Sequence, residues 1–148
     1  MRRHDIRSDA GFSLVEIVIT IAIVGVTFSA ILGGLFSSIT VSALQQKEAT
    51  ADTVARSAAE VVKDSAHNPY FNCAPSGHYS LTGLSVPSGF SAHITDVAYW
   101  DGQPPVGGAV VFQSNCGSDP GIQRITIAAS SSDGQATETV QVIKRRTS

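Results

Sequence analysis

Between Phe12 and Gln46 the chain carries a single charged side chain, Glu16, and it stands at the edge of an uncharged run of 20 residues, Ile17 to Phe36. A carboxylate drawn to the centre of a bilayer costs about 2.5–3.5 kcal/mol, so residues of this kind are as a rule functional. Gly11 and Phe12 lie just ahead of it. A glycine leaves its backbone unshielded and conformationally free. Elsewhere the chemistry-bearing residues are scattered. His67, His78 and His93 lack the spacing of a zinc site, no HxxxH or CxxC element is present, and no serine sits in a G-x-S-x-G elbow. Asp133-Gly134 with Glu138 has some of the oxygen ligands of a calcium loop but not their repeat, and reads better as a hairpin turn.

These residues need an element to position them, and the charge distribution supplies it. Of 22 charged residues in 148, five fall in residues 1–11 and 16 in the last 102. The uncharged run of 20 matches a hydrocarbon core of about 30 Å at about 1.5 Å rise per residue. Arg2, Arg3 and Arg7 precede it, so the positive-inside bias places residues 1–11 in the cytoplasm and everything after Gln46 outside. A cleavable secretory signal has the same succession of basic, apolar and polar segments, but its apolar part is only about 7–15 residues long. A net charge of −2 excludes a nucleic-acid binder that works by bulk electrostatics.

The stretch Gly11-Phe12-Ser13-Leu14-Val15-Glu16, with a charged leader before it and the apolar run behind, resembles the class III signal of type IV pilins and type II secretion pseudopilins. The resemblance covers about the first 30 to 35 residues after the leader begins. It implies removal of leader 1–11 by a prepilin peptidase cutting between Gly11 and Phe12, N-methylation of Phe12, and an assembly role for Glu16. After such a cut the Phe12 amine and the Glu16 carboxylate are four residues apart on one helical face. They then neutralise each other within a subunit or between packed subunits, the latter making Glu16 a register device; the alternative is a carboxylate that snorkels to the interface.

The domain reading follows: 12–41 as transmembrane and assembly helix, 42–67 as its amphipathic continuation, and 69–148 as a β-rich extracytoplasmic head. Ala51, Val54, Ala55, Ala58, Val61, Val62 and Ala66 recur at helical spacing, and His67-Asn68-Pro69 ends the helix. One helix from 12 to 66 would be about 80 Å long. Strands are predicted at Phe90–Trp100, Ala109–Gln113, Ile122–Ala129 and Ala136–Lys144, with a weaker piece at Tyr79–Leu81. The expected fold class is α+β: a long N-terminal α-helix packed against a small antiparallel β-sheet head, pilin-like.

Cys73 and Cys116 form an even pair in an extracytoplasmic segment and read as a disulfide, with two buried free thiols as the alternative. Lys144-Arg145-Arg146 is a terminal basic triplet that would touch nucleic acid or an acidic neighbour, or simply be a solvated strand end. Tyr99-Trp100 before Pro104-Pro105 reads as a core edge or a ligand platform. No cofactor, metal or catalytic residue is implied. The expected function is a minor pilin or pseudopilin of a type IV pilus or type II secretion filament. The competing class is a membrane-anchored adhesion or DNA-uptake tip subunit acting through head loops. Expected partners are the prepilin peptidase, other pilin or pseudopilin subunits and cytoplasmic membrane lipid.

Overall fold

The computed structural model describes residues 13–105, 107 and 110–146. Helix α1 runs unbroken over Leu14–Lys63, followed by strands β1 (Phe90–Trp100), β2 (Phe112–Gln113), β3 (Ile122–Ser131) and β4 (Thr137–Arg145). The chain divides into two compact units between Ser42 and Ala43. In the first, α1 has no proline, and four of its hydroxyls bond back to the helix. Thr20, Thr27, Ser29 and Thr40 each donate to the carbonyl four residues back, at 2.7–3.0 Å. That arrangement hides polar groups that an apolar medium would penalise.

In the second unit the four strands form one antiparallel sheet in the order β2-β1-β3-β4, giving the α+β architecture expected of a pilin-like chain. Its inner face meets a stripe of small side chains on α1. Ala58, Ala59 and Val62 are buried with Ile125 and Ile127 of β3 and Val97, Tyr99 and Val142 of the flanking strands, and Val54 and Ala55 with Ala129 of β3; Ala51 is buried as well. The alternation of β3 is complete, with every second residue from Gln123 to Ser131 buried. A bulge at Thr95 shifts the β1–β3 register, so that Ile94 and then Val97 both reach the core.

Three expectations change. The helix stops at Lys63, so Ala66 is exposed; Asp64 accepts from the Ala66 N–H at 2.9 Å and breaks the run. Strand β2 begins only at Phe112, Ala109 lying outside the described residues. Tyr79–Leu81 is not a strand. The buried Asn68 amide donates to the Ser80 carbonyl at 3.0 Å and accepts from the Ser80 N–H at 2.8 Å, taking the groups that a strand partner would use. The same amide donates to the Val61 carbonyl at 2.9 Å, so it caps the helix as well.

Cys73 and Cys116 are bonded, with Cα atoms 5.6 Å apart across 43 residues. In the chain-entropy model that closure contributes about 4 kcal/mol. Beside it, the half-buried Asp119 carboxylate accepts from the Tyr70 hydroxyl, the Cys73 N–H (2.9 Å), the Gly121 N–H (2.9 Å) and the Gln123 amide (2.6 Å). Gln123 passes the network on, accepting from the Tyr79 hydroxyl at 2.7 Å and donating to the Phe71 carbonyl at 2.8 Å. Burial pushes the Asp119 carboxyl up, but the bonds from Tyr70, Cys73, Gln123 and Gly121 outweigh it and hold it below the usual carboxylate range.

Two outcomes follow for stability. Asp119→Ala strands several half-buried donors and should cost about 2 kcal/mol, read as a lowered melting temperature of the full chain in detergent. Since its folded pKa lies below the unfolded value of about 3.9, the contribution of Asp119 is complete above that pH and vanishes as pH falls through the folded value. The wild-type melting temperature should therefore hold from neutral pH to about 5 and drop below about 4, and Asp119→Asn should flatten that drop. Lys144→Ala, which removes the ammonium donating to the Val62 carbonyl at 2.7 Å, should cost about 2 kcal/mol by the same measurement.

Candidate functional site

The N-terminal segment is built for an apolar medium. From Leu14 to Leu44 the large apolar side chains of α1 are exposed, Leu14 at 77% and Phe36 at 71%, and by length and composition this part of the helix is able to cross a membrane. Glu16 lies in the first turn, where a negative charge is favoured by the helix dipole. Ser13 precedes the first helical residue, and its carbonyl accepts from the N–H groups of Glu16 (2.9 Å) and Ile17 (3.2 Å). Ser13 and Glu16 thus have the S-x-x-E spacing of a capping box, a signal in the sequence that marks where α1 starts. Gly11 and Phe12, the expected cleavage and methylation positions, lie outside the described residues, as does leader 1–11.

In the head the basic triplet is divided three ways. Lys144 is 6% exposed and turns inward onto the Val62 carbonyl, with Nζ 5.5 Å from the centre of the Tyr79 ring. Burial pushes its pKa down, opposed by the charge of Asp64. Arg145 is on the outer face of the sheet, and Arg146 donates to the Asp119 carbonyl at 3.2 Å and lies over the Tyr70 ring. Strand alternation signals the inward turn, because Lys144 shares its parity with Val140 and Val142.

The same rule separates the aromatic pair. Tyr99 is buried in the core and donates to the Ala74 carbonyl at 2.6 Å, whereas Trp100 lines a cavity of about 260 Å³ on the opposite face. Tyr99 therefore takes the core place, and Trp100 faces the other side of the sheet. The three histidines occupy separate places. His67 pairs with Asp64 at 2.6 Å beyond the helix end, His78 stacks on Phe71 with ring centres 4.5 Å apart, and His93 is an exposed residue of β1. Among the described residues no group of three or more His, Cys, Asp or Glu is placed to hold a metal.

Asp133 makes the hairpin turn that its neighbour Gly134 suggests, with Gly134 at a φ of 69°. It accepts from Ser131 Oγ at 2.7 Å and from the Gln135 N–H at 3.2 Å. It also accepts from Lys47, which donates to Gln135 Oε1 at 2.8 Å, so the turn is tied to the side of α1. The Lys47 bond first, then those of Ser131 and Gln135, hold the Asp133 carboxyl well below the usual range. Neither this tie nor the Asp119 hub was expected from the sequence. The Asp119-Pro120-Gly121 turn ahead of β3 is the available signal for the second.

A family model described as the prokaryotic N-terminal methylation motif matches residues 6–32, which span Gly11, Phe12, Glu16 and the first half of the apolar run. No curated protein and no solved structure matches the chain. The chain thus carries a prokaryotic N-terminal methylation motif, a class III signal, and the single long helix behind it with a small antiparallel sheet is an α+β architecture consistent with that of type IV pilin-like proteins.

Proposed function

We propose that this pilin-like precursor is a structural subunit, a minor pilin or pseudopilin, of a type IV pilus or type II secretion-type filament. The observation that carries the reading is the conjunction of the methylation motif at 6–32 with an unbroken apolar helix whose side chains are exposed from Leu14 to Leu44. In this reading the prepilin peptidase cuts between Gly11 and Phe12 on the cytoplasmic side and methylates the new amine. The helix holds the subunit in the membrane with the head outside. Assembly moves the exposed apolar side chains from lipid into contact with neighbouring subunits, at little hydrophobic gain, so specificity rests on packing and on charge.

Glu16 supplies that charge. The Phe12 amine of one subunit, left cationic by methylation, meets the carboxylate of its neighbour where water is excluded, and each neutralises the other. An uncompensated partner in such a site costs about 3–5 kcal/mol, which sets subunit register without any catalytic machinery. α1 contains no proline, and nothing lies within 4 Å of where a side chain would stand at Gly25, Gly33 and Gly34, so neighbouring helices approach closely there.

Mass spectrometry of the mature protein should find an N-terminus at methylated Phe12; an intact leader or a cut beyond Val41 would remove the reading. Glu16→Ala should leave processing unchanged and lower incorporation into filaments about a hundredfold, measured by the ratio of sheared to membrane-held protein. Unchanged incorporation would sink the role given to Glu16.

A further inference from the structure

Residues 70–74 belong to no strand or helix, yet each is held by a polar bond to another part of the head. The Tyr70 hydroxyl donates to Asp119 Oδ1, the Phe71 carbonyl accepts from Gln123 Nε2 at 2.8 Å, and Asn72 Oδ1 accepts from Arg146. The Cys73 N–H donates to Asp119 Oδ2 at 2.9 Å, and the carbonyl of the fully buried Ala74 accepts from the Tyr99 hydroxyl at 2.6 Å. The holding side chains are placed by the sheet. Tyr99 is on β1 and Gln123 on β3, while Asp119 and Arg146 flank β3 and β4 and are joined at 3.2 Å through Arg146 and the Asp119 carbonyl.

At Cys73 this anchoring works against the backbone. Its φ of 52° lies in the left-handed region, which a residue with a side chain seldom enters, and among the described residues it is the single non-glycine to do so. Such a conformation persists only where the surroundings over-determine it. The other arm of the disulfide is different in kind. Among the described residues, the stretch 114–118 has one hydrogen bond, from its own Gly117 N–H to the Asn115 carbonyl at 3.2 Å. Cys116 stands three residues before Asp119, so the residue that fixes Cys73 belongs to the same connection between β2 and β3 as Cys116 itself.

We infer that Asp119 is a positioning residue for the Cys73–Cys116 bond: through the Cys73 N–H and the Tyr70 hydroxyl it holds Cys73 in its bonded place whether or not the bond is made, and the 114–118 arm closes onto it. The Cα atoms then stand 5.6 Å apart, a separation that a disulfide bridges without backbone movement. With glutathione disulfide as oxidant, the protein dithiol becomes the protein disulfide and two glutathione thiols are released. Two electrons pass from the cysteine sulfurs to the oxidant, whose S–S bond breaks as the Cys73–Cys116 bond forms, and the two thiol protons end on glutathione. A Cys73 already held in place loses less freedom on closure, which raises its effective concentration at Cys116. The coupling is reciprocal, so the bond strengthens the Asp119 contacts by the same factor. Reduction therefore acts on one side of the bond: it frees 114–118 and leaves 70–74 on their course.

Cys73 and Cys116 are the only cysteines of the chain, so every thiol counted reports this pair. Full-length protein in detergent is equilibrated with mixtures of reduced and oxidised glutathione, and free thiols are counted by maleimide labelling and mass spectrometry. The mixture at half-oxidation gives the effective concentration. Asp119→Ala should lower it about tenfold or more, and Tyr70→Phe about threefold. Val54→Ala, which loosens the other core cluster around Ala129, should lower the melting temperature and leave the effective concentration within about twofold. In a chain carrying Cys73→Ser and Cys116→Ser, Asp119→Ala should lower the melting temperature less than it does in the oxidised chain. An unchanged effective concentration in either Asp119→Ala or Tyr70→Phe, an equal fall in Val54→Ala, or an equal loss of melting temperature with and without the bond would each overturn the proposal. Tyr70→Phe removes one hydroxyl and keeps the ring beside Arg146, so it decides the matter should Asp119→Ala not fold.

Discussion

Close approach between α1 and the sheet is the contact on which the head depends. Ala51, Ala55, Ala58 and Ala59 give the helix a face with almost no side-chain bulk, so Ile125 and Ile127 of β3 reach it and become fully buried. A larger residue at Ala58 would hold the central strand away from the helix and open the space that Val62 and Val142 now fill. Because α1 has few side chains to contribute, the core is thin. The remaining stabilisation comes from polar bonds and from one covalent tie.

Those bonds concentrate where the helix ends. An α-helix leaves its last carbonyls without partners, and here tertiary contacts supply them: Asn68 bonds the Val61 carbonyl and Lys144 the Val62 carbonyl. Lys144 adds a positive charge at the negative end of the helix dipole. A few residues on, Asp119 collects donors from Tyr70, Cys73, Gly121 and Gln123, and the disulfide fixes Cys73 against the far loop at Cys116. The irregular stretch from Asp64 to Leu84 thereby acquires a defined course with no sheet or helix of its own. Cys73 is held there at a φ of 52°, its N–H pointed at Asp119.

The exposed surfaces divide by medium. Along the first part of α1 the apolar side chains are unpartnered and the hydroxyls are turned back onto the helix, an arrangement suited to lipid or to a like helix. The outer face of the sheet is hydroxyl-rich near Ser91, Ser130 and Thr137, and aromatic and cationic near Trp100, Arg124 and Arg145. A water-facing sheet gains nothing in stability from an exposed Ile143 beside two arginines.

Local pattern sufficed for whatever is decided locally. The length of the uncharged run, the Gly-Phe-x-x-x-Glu signal, the alternation in β1, β3 and β4, the turn at Asp133-Gly134 and the pairing of Cys73 with Cys116 were all legible, because each rests on spacing or on composition. The inward turn of Lys144 was legible in principle from the parity of Val140 and Val142, and was obscured by reading three adjacent basic residues as one patch. Partnerships over long separations were not legible. Lys144 meets Val62 across 82 residues and Lys47 meets Gln135 across 88. The Asp119 hub joins residues 70 to 123, and the outer-face cavity needs Trp100, Phe112 and Ile143 side by side. Such contacts follow from strand order and register, which periodicity within a segment does not encode. Only the folded chain decides which polar side chains are spent inside the head and which remain free to bind.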